Sequence, residues 1–235
     1  MGRDGRFVEV YEALAGEYGP RRWWPVTPPG GTRPEYIGGP RTRQQRFEMA
    51  VGAVLTQNTA WNNAAEAIVN LNRTVILDPT SLYRINERRL ADLVRPSGYY
   101  NQKAKRLKAL AAFFTSGRDV NRDNLLTLDG IGPETADSIL LYAFDHPIFV
   151  VDAYTRRLFD RLAMIDAGAP YDEVQAIFQS NLPRDVHIYK EYHALIVEHG
   201  KCHCRKRPSC EGCVLLGRCS VEIEGSDHKN RKLSQ

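Results

Sequence analysis

The chain has 235 residues, of which 43% are hydrophobic and 26% charged, and carries a formal net charge of +4. That length allows one large domain or two small ones with a sizeable core, while the charge is too small to identify an anionic partner by itself. No stretch approaches the roughly eighteen apolar residues of a membrane span, and the polar start MGRDGR is not followed by a signal-peptide core, which predicts a cytoplasmic protein.

Phe7, Val10, Tyr11 and Leu14 fall at i, i+3, i+4 and i+7 and predict an amphipathic helix ending near Gly19-Pro20. Arg21-Arg22-Trp23-Trp24-Pro25 leads into PVTPPGGTRPEYIGGP, whose prolines and glycines argue against regular structure and for a path over the surface. Phe47, Ala50, Val51, Val54 and Leu55 form the buried stripe of a second helix that stops around Thr56-Gln57-Asn58-Thr59. Trp61, Ala64, Ala65, Ile68 and Leu71 mark a third. Short helices are expected from Thr80 to Ile85 and from Asn86, as N-cap, to Arg95, before Pro96-Ser97-Gly98 breaks the pattern. In YYNQKAKRLKALAAFF, Leu107, Leu110, Ala111 and Phe114 face inward, with Lys103, Lys105, Arg106 and Lys108 expected in solvent.

The stretch LDGIGPETADSILLYAFDHPIFVVDAYTRRL carries the densest signal. Gly130 and Gly132 make a tight turn before a helix on which Ala136, Ile139, Leu140 and Ala143 recur at helical spacing, and Pro133 suits its first position. Such a turn lets backbone approach a ligand and offers N–H groups to a phosphate. The apolar run Ile148 to Val151 then delivers Asp152 to the start of a helix bearing Tyr154, Leu158 and Leu162. Asp152 reads both as a helix N-cap and as a carboxylate presented beside the turn. Val174, Ile177 and Phe178 predict one more helix, and Ile188, Tyr189, Tyr192, Leu195 and Ile196 another. Strand alternation is nearly absent, so the class is all-α.

All five cysteines lie between Cys202 and Cys219, which argues against a secreted disulfide framework and for a metal site. Cys204, Cys210, Cys213 and Cys219 are separated by five, two and five residues. That spacing suits Zn(Cys)4 and a [4Fe–4S] cluster equally. Lys201, Arg205, Lys206, Arg207 and Arg218 make the same segment basic, as phosphate contact would require.

The order of hairpin, VVD and cysteine loop resembles the helix-hairpin-helix DNA glycosylases of the endonuclease III superfamily, with their LxGxGxxTA signature (here LDGIGPETA) followed by an apolar run and VD. The resemblance extends from Trp23 to Cys219 and implies a two-lobed HhH-GPD fold. Residues 43–146 would form a six-helix domain with the hairpin at 125–144. Residues 1–42 and 147–235 would form a discontinuous cluster domain, with the DNA cleft between the lobes. It also implies a [4Fe–4S] cluster on Cys204, Cys210, Cys213 and Cys219, the loop at 204–219 following His199-Gly200. The family spacing has six residues in the first gap where this chain has five. Cys202 would give seven.

By the same resemblance Asp152 is the catalytic carboxylate, stabilising positive charge on the sugar and activating water as the N-glycosidic bond breaks. Gln57 corresponds to the residue that fills the gap left by a flipped nucleotide. Gly130, Ile131, Gly132 and Thr135 are the DNA-binding residues of the hairpin. Members that cut DNA through a Schiff base carry a lysine where this chain has Glu134, which implies a monofunctional enzyme. Trp23-Trp24-Pro25, Phe47-Glu48 and Leu55 to Thr59 resemble the 3-methyladenine DNA glycosylase III group, whose aromatic pocket, here Trp23, Trp24 and Phe47, would attract a cationic alkylated purine. The same aromatics are equally suited to fill a core. The partner is expected to be duplex DNA with damaged bases, bound by a nucleoid-associated monomer. Two rivals stand: a glycosylase of the superfamily for oxidised pyrimidines or mismatched thymine or uracil, and an inert damage-binding module.

Overall fold

The computed structural model of the protein describes residues 4–74 and 77–219. Helix α1 (Arg6–Tyr18) buries Phe7, Val10 and Leu14 and stops at Gly19, whose φ of 62° turns the chain away. Helix α2 (Arg43–Leu55) begins with a capping box between Thr42 and Gln45 and is buried on almost every face. It can be so because α3 (Trp61–Arg73), α6 (Tyr100–Thr115) and α8 (Pro133–Phe144) all pack on it. Asp78 and Asn86 cap the short helices α4 (Pro79–Arg84) and α5 (Glu87–Leu93), which lie across α6. Helix α7 (Arg122–Leu126) and α8 are the two arms of the hairpin.

The remaining helices form the second lobe: α9 (Ala153–Arg161), α10 (Tyr171–Asn181) and α11 (Val186–Cys202), with α1 returned onto α10 and α11. Tyr192 Oη donates to the Phe7 carbonyl at 2.7 Å, and the Asp4 N–H donates to Asn181 Oδ1 at 2.7 Å. The core here is aromatic. Phe178 stacks on Phe149 at 4.2 Å and meets Phe7 edge-on at 5.1 Å. Between the lobes, the fully buried Asp137 of α8 binds Arg122 at 2.9 Å and accepts from Gln175 Nε2 of α10 at 2.7 Å, so no charge is left bare. Among the described residues there is no strand, only one antiparallel bridge between Val26 and Glu35, and no helix is long and apolar enough to cross a membrane.

Two expectations hold only in part. The Pro/Gly segment runs over the surface at residues 29–33, but its start is drawn in: Val26 and Thr27 are buried beside Trp24, and Thr27 is held by Glu48, Gln45 and Asn72. Nor is every basic side chain of α6 in solvent, although Lys105 is. Lys103 is 1% exposed, and its Nζ donates to the carbonyls of Leu55 at 2.8 Å and Ser97 at 2.6 Å. Those carbonyls end a helix and a turn and lack helical partners, so a long cation replaces the missing donors. Burial lowers its pKa to about 8. Lys103→Met keeps the volume and strips both carbonyls of a donor; it should cost about 2 kcal/mol, read as a lower urea midpoint at unchanged slope. An unchanged midpoint would mean that other donors replace the ammonium.

Candidate functional site

Phe149, Val150 and Val151 are buried and anchor the strand-like run that ends at Asp152, the N-cap of α9. Its Oδ1 accepts from the Thr155 N–H at 2.7 Å and from Thr155 Oγ1 at 2.8 Å. Its Oδ2 faces His193 Nε2 at 3.6 Å, and the side chain is 12% exposed. The cap and the presented carboxylate are therefore one arrangement, with one oxygen assigned to each task. Burial by itself would push this carboxyl up. The attraction of His193 and the two Thr155 bonds outweigh it, and the group lies below the ordinary aspartate value.

Asp152 opens into a cleft of about 610 Å³ whose walls come from both lobes. Trp23, Trp24 and Pro25 form one side, with Tyr36 and Trp61 beside them. The Trp24 ring meets Trp61 edge-on at 5.7 Å and Tyr142 at 5.4 Å. The tryptophan pair is placed from behind by Glu191, whose carboxylate accepts from the Arg21 N–H at 2.7 Å and the Arg22 N–H at 3.1 Å. Lys201 Nζ sits 5.7 Å from the centroid of Trp23. Phe47 departs from its expected place. It is 1% exposed, packs on Phe114 at 5.3 Å and does not line the cleft, because α2 is wrapped on all sides and turns that residue into the core.

Glu134 enters the same cleft from the first turn of α8. The residue is exposed by area and lines the cleft beside Asp152. Burial and the charge of Asp152 raise it to about 7, against the opposing pull of His193 and Arg156. Two lysines could stand in for the absent amine, and of these Lys201 lines the cleft while Lys103 is locked in the core.

The hairpin turn adjoins this carboxylate pair. Gly130 has a φ of 75°, and a Cβ there would lie 2.0 Å from Arg106 Nε. The reason is a tight lattice of side chains beneath the turn. Gln57 Nε2 donates to the Gly130 carbonyl at 2.9 Å and to Thr135 Oγ1 at 3.0 Å, while Arg106 Nη1 donates to Gln57 Oε1 at 2.7 Å. Gln57 thus uses both ends of its amide to tie the α2 loop to the hairpin. Ile131 is buried under the turn, and Gly132 is an extended N-cap without a side-chain bond, leaving the first N–H groups of α8 to solvent or a ligand. Sequence reasoning missed Trp61, His193 and this role of Gln57. Trp61 sits at a helical apolar position, and nothing in one dimension separates a cleft wall from a core face.

The cysteine loop is clamped to α9. Arg157 Nε donates to the Cys204 carbonyl at 2.7 Å, and Arg161 Nη1 lies 3.1 Å from Cys204 Sγ and donates to the Arg205 carbonyl at 2.7 Å. Gly200 allows the crossing of α9 and α11: a Cβ there would be 2.3 Å from Tyr154 Cδ1. No disulfide forms, and burial together with the charges of Cys204, Cys213 and Cys210 raises the Cys219 thiol to about 11. The repulsion that Cys204, Cys213 and Cys210 exert on Cys219 would be relieved by a centre that supplies positive charge. Cys202 interacts instead with Glu198, at 3.6 Å. Among the described residues no three His, Cys, Asp or Glu side chains are gathered into a metal-ligating group.

Residues 51–184 match the family described as HhH-GPD superfamily base excision DNA repair protein. A Methanocaldococcus jannaschii protein, whose name assigns it provisionally to the DNA repair glycosylases, is 43% identical over 90% of this chain and 94% of its own length. Endonuclease III of Sulfolobus acidocaldarius is 29% identical over 80% of this chain and 87% of its own. Among solved structures, the 3-methyladenine DNA glycosylase of Helicobacter pylori bound to 1,N6-ethenoadenine superposes with a TM-score of 0.67 at 30% identity, covering 83% of this chain and 97% of that one. A non-covalent endonuclease III–DNA complex gives a TM-score of 0.74 at 20% identity over 94% and 96% of the two chains, a likeness of fold.

The lattice under the hairpin sets a prediction. Gly130→Ala places a side chain at positive φ and against Arg106, so it should destabilise the protein by roughly 1 to 2 kcal/mol from backbone strain alone and displace Arg106 from Gln57. Calorimetry and a structure of the variant check this. Unaltered melting with Arg106 in place would refute it.

Proposed function

Because the chain belongs to the HhH-GPD superfamily of base excision DNA repair proteins, we propose that it is a monofunctional DNA glycosylase that excises alkylated purines of the 3-methyladenine type and leaves an abasic site. The observation that carries this reading is the joint placement of Asp152 and the tryptophans around one cleft. Breaking the N-glycosidic bond builds positive charge at the sugar, and an ionised carboxylate held at fixed distance stabilises that charge and orients the attacking water. Asp152 meets the requirement: one oxygen is immobilised by Thr155, the other is held opposite His193 at the cleft wall, and the group stays ionised at neutral pH.

The base would lie between Trp23 and its neighbours. A positively charged purine is favoured by aromatic faces over its neutral parent, and it is already a good leaving group. The ammonium of Lys201 over Trp23 illustrates the attraction that face offers a cation. Glu134 stands where lyase members of the family carry their amine, and a carboxyl cannot form an imine. The hairpin N–H groups of Gly130 and Gly132 would grip a phosphate beside the extruded nucleotide, the Ile131 N–H being spent on the Leu128 carbonyl, with Gln57 and Thr135 bracing the turn from below. In this reading Cys204, Cys210, Cys213 and Cys219 hold a [4Fe–4S] cluster, which stiffens a basic loop for DNA contact. Residues 43–146 would be the lobe that carries the hairpin, and residues 1–42 and 147–235 the lobe that carries the cluster.

Duplexes containing 3-methyladenine, 7-methylguanine, thymine glycol, uracil or a T:G mismatch separate the readings. Methylated purine should be released, with strand scission only after alkali and no borohydride-trapped adduct. Release of thymine, uracil or thymine glycol in its place would point to another branch of the superfamily, and a trapped adduct lost in Lys201→Ala would assign a lyase to the cleft amine. Glu134→Lys should create a trappable adduct with an abasic duplex. The purified protein should absorb broadly near 400 nm, the rough expectation for such a cluster, and lose that band in Cys213→Ser. A colourless, zinc-loaded protein would replace the cluster assignment with Zn(Cys)4.

A further inference from the structure

We infer that His193 is the positioning residue of Asp152: clamped by Tyr142, it presents Nε2 to the second carboxylate oxygen and keeps that oxygen ionised and held at the cleft wall. Its consequence for rate rests on the glycosylase reading above; its geometry does not. His193 is 4% exposed on α11 and touches three elements. Its Nδ1 lies 2.7 Å from Tyr142 Oη on α8, and Tyr142 Oη also donates to the Lys190 carbonyl at 3.1 Å. The edge of the ring meets Trp23 at 5.9 Å. Its Nε2 is buried, has no hydrogen-bond partner and points at Asp152 Oδ2 from 3.6 Å.

The hydroxyl proton of Tyr142 can be shared in two ways. If it goes to Nδ1, the neutral ring carries its proton on Nε2. If it goes to the Lys190 carbonyl, Nδ1 donates to Tyr142 Oη, and only a doubly protonated ring carries an N–H on Nε2. The placement of Nε2 against the carboxylate selects the states that turn an N–H toward Oδ2. A lone pair there would repel the carboxylate with no water to screen it. Tyr142 is itself fully buried, so the clamp is rigid.

The groups around the pair support this assignment. From α9, Thr155 takes Oδ1, and Arg156 acts at longer range on Glu134. From α8 come Tyr142 and Glu134, and from α11 come His193 and Lys201. Glu134, raised to about 7, is largely neutral at acid pH and then contributes little repulsion to Asp152. His193 is then the group set against Oδ2, at 3.6 Å. Removing it leaves burial opposed only by Thr155, and burial raises a carboxyl. The sign follows: the Asp152 pKa must rise, and with it the acid limb of any reaction that needs the carboxylate.

The test uses the full chain with ¹³C-labelled aspartate, the Asp152 signal being identified by its loss in Asp152→Asn. In His193→Leu the Asp152 carboxyl should titrate at least about one unit higher, the smaller end of what an opposing charge at such a distance does. His193→Gln retains an N–H near the position of Nε2 and should restore most of the shift. Tyr142→Phe keeps the ring volume, frees Nδ1 and should move the pKa the same way by less; it carries the test if the leucine variant fails to fold. In the full pH–rate profile for release of methylated purine, the acid limb of His193→Leu should lie about one pH unit above that of wild type, matching the shift in the titration. An Asp152 titration unchanged in His193→Leu and Tyr142→Phe overturns the inference, whatever the activity. A shifted titration in a protein that releases no base from any duplex upholds it and overturns the glycosylase reading.

Discussion

The pair of bonds from Thr155 to Asp152 Oδ1 is the constraint on which the site depends. A carboxylate at a helix start is ordinarily spent on capping. Here the cap consumes a single oxygen and leaves the other opposite His193, in a residue that lines the cleft. Capping fixes the side chain in one rotamer without a separate support, so α9 gains its N-terminus and the cleft gains a preorganised charge from the same contact. The apolar run before it does the rest. With Phe149, Val150 and Val151 sealed in the core, Asp152 cannot slide along the chain.

From that point the two lobes are tied by short, specific contacts. Gly200 lets α11 cross α9 closely enough for Tyr154 to pack on its backbone, and Arg157 and Arg161, one and two turns along the same face of α9, hold the cysteine loop by its carbonyls. The helix that presents Asp152 is therefore also the helix that fixes the basic loop. On the other lobe, Gln57 and Arg106 brace the hairpin from beneath. A ligand spanning the hairpin, the cleft and the loop would meet three surfaces held in fixed relation, which is what recognition of an extruded nucleotide demands.

Much of this was legible in one dimension. Helical periodicity placed the major helices, Asn86 was read as a cap and is one, and the GIG turn, Asp152 and the tryptophan pair all emerge where their local chemistry points. What escaped were long-range contacts. Lys103 looks solvated on a helix wheel, and only the fold brings the Leu55 and Ser97 carbonyls to it. Phe47 carries the same signal as Trp24, yet one enters the core and the other a cleft wall, a distinction set by how α2 is enclosed. His193 lies some forty residues from Asp152, on the inner face of a helix where histidine reads as an ordinary core position. The prolines and glycines after Trp24 correctly exclude helix and strand, but burial at the start of that segment depends on Glu48, Gln45 and Asn72, which are invisible to its composition.

The central claim is that one ionised oxygen of Asp152 performs the chemistry while the rest of the site binds. Single-turnover release of 3-methyladenine by Asp152→Asn, measured beside its affinity for a duplex with an abasic analogue, tests it most directly. Asparagine can still accept from Thr155, so binding should stay within about threefold while the rate falls by roughly 10² to 10³, the loss typical of removing one transition-state stabiliser. Near-wild-type release, or a loss of binding that accounts for the whole loss of rate, would contradict it.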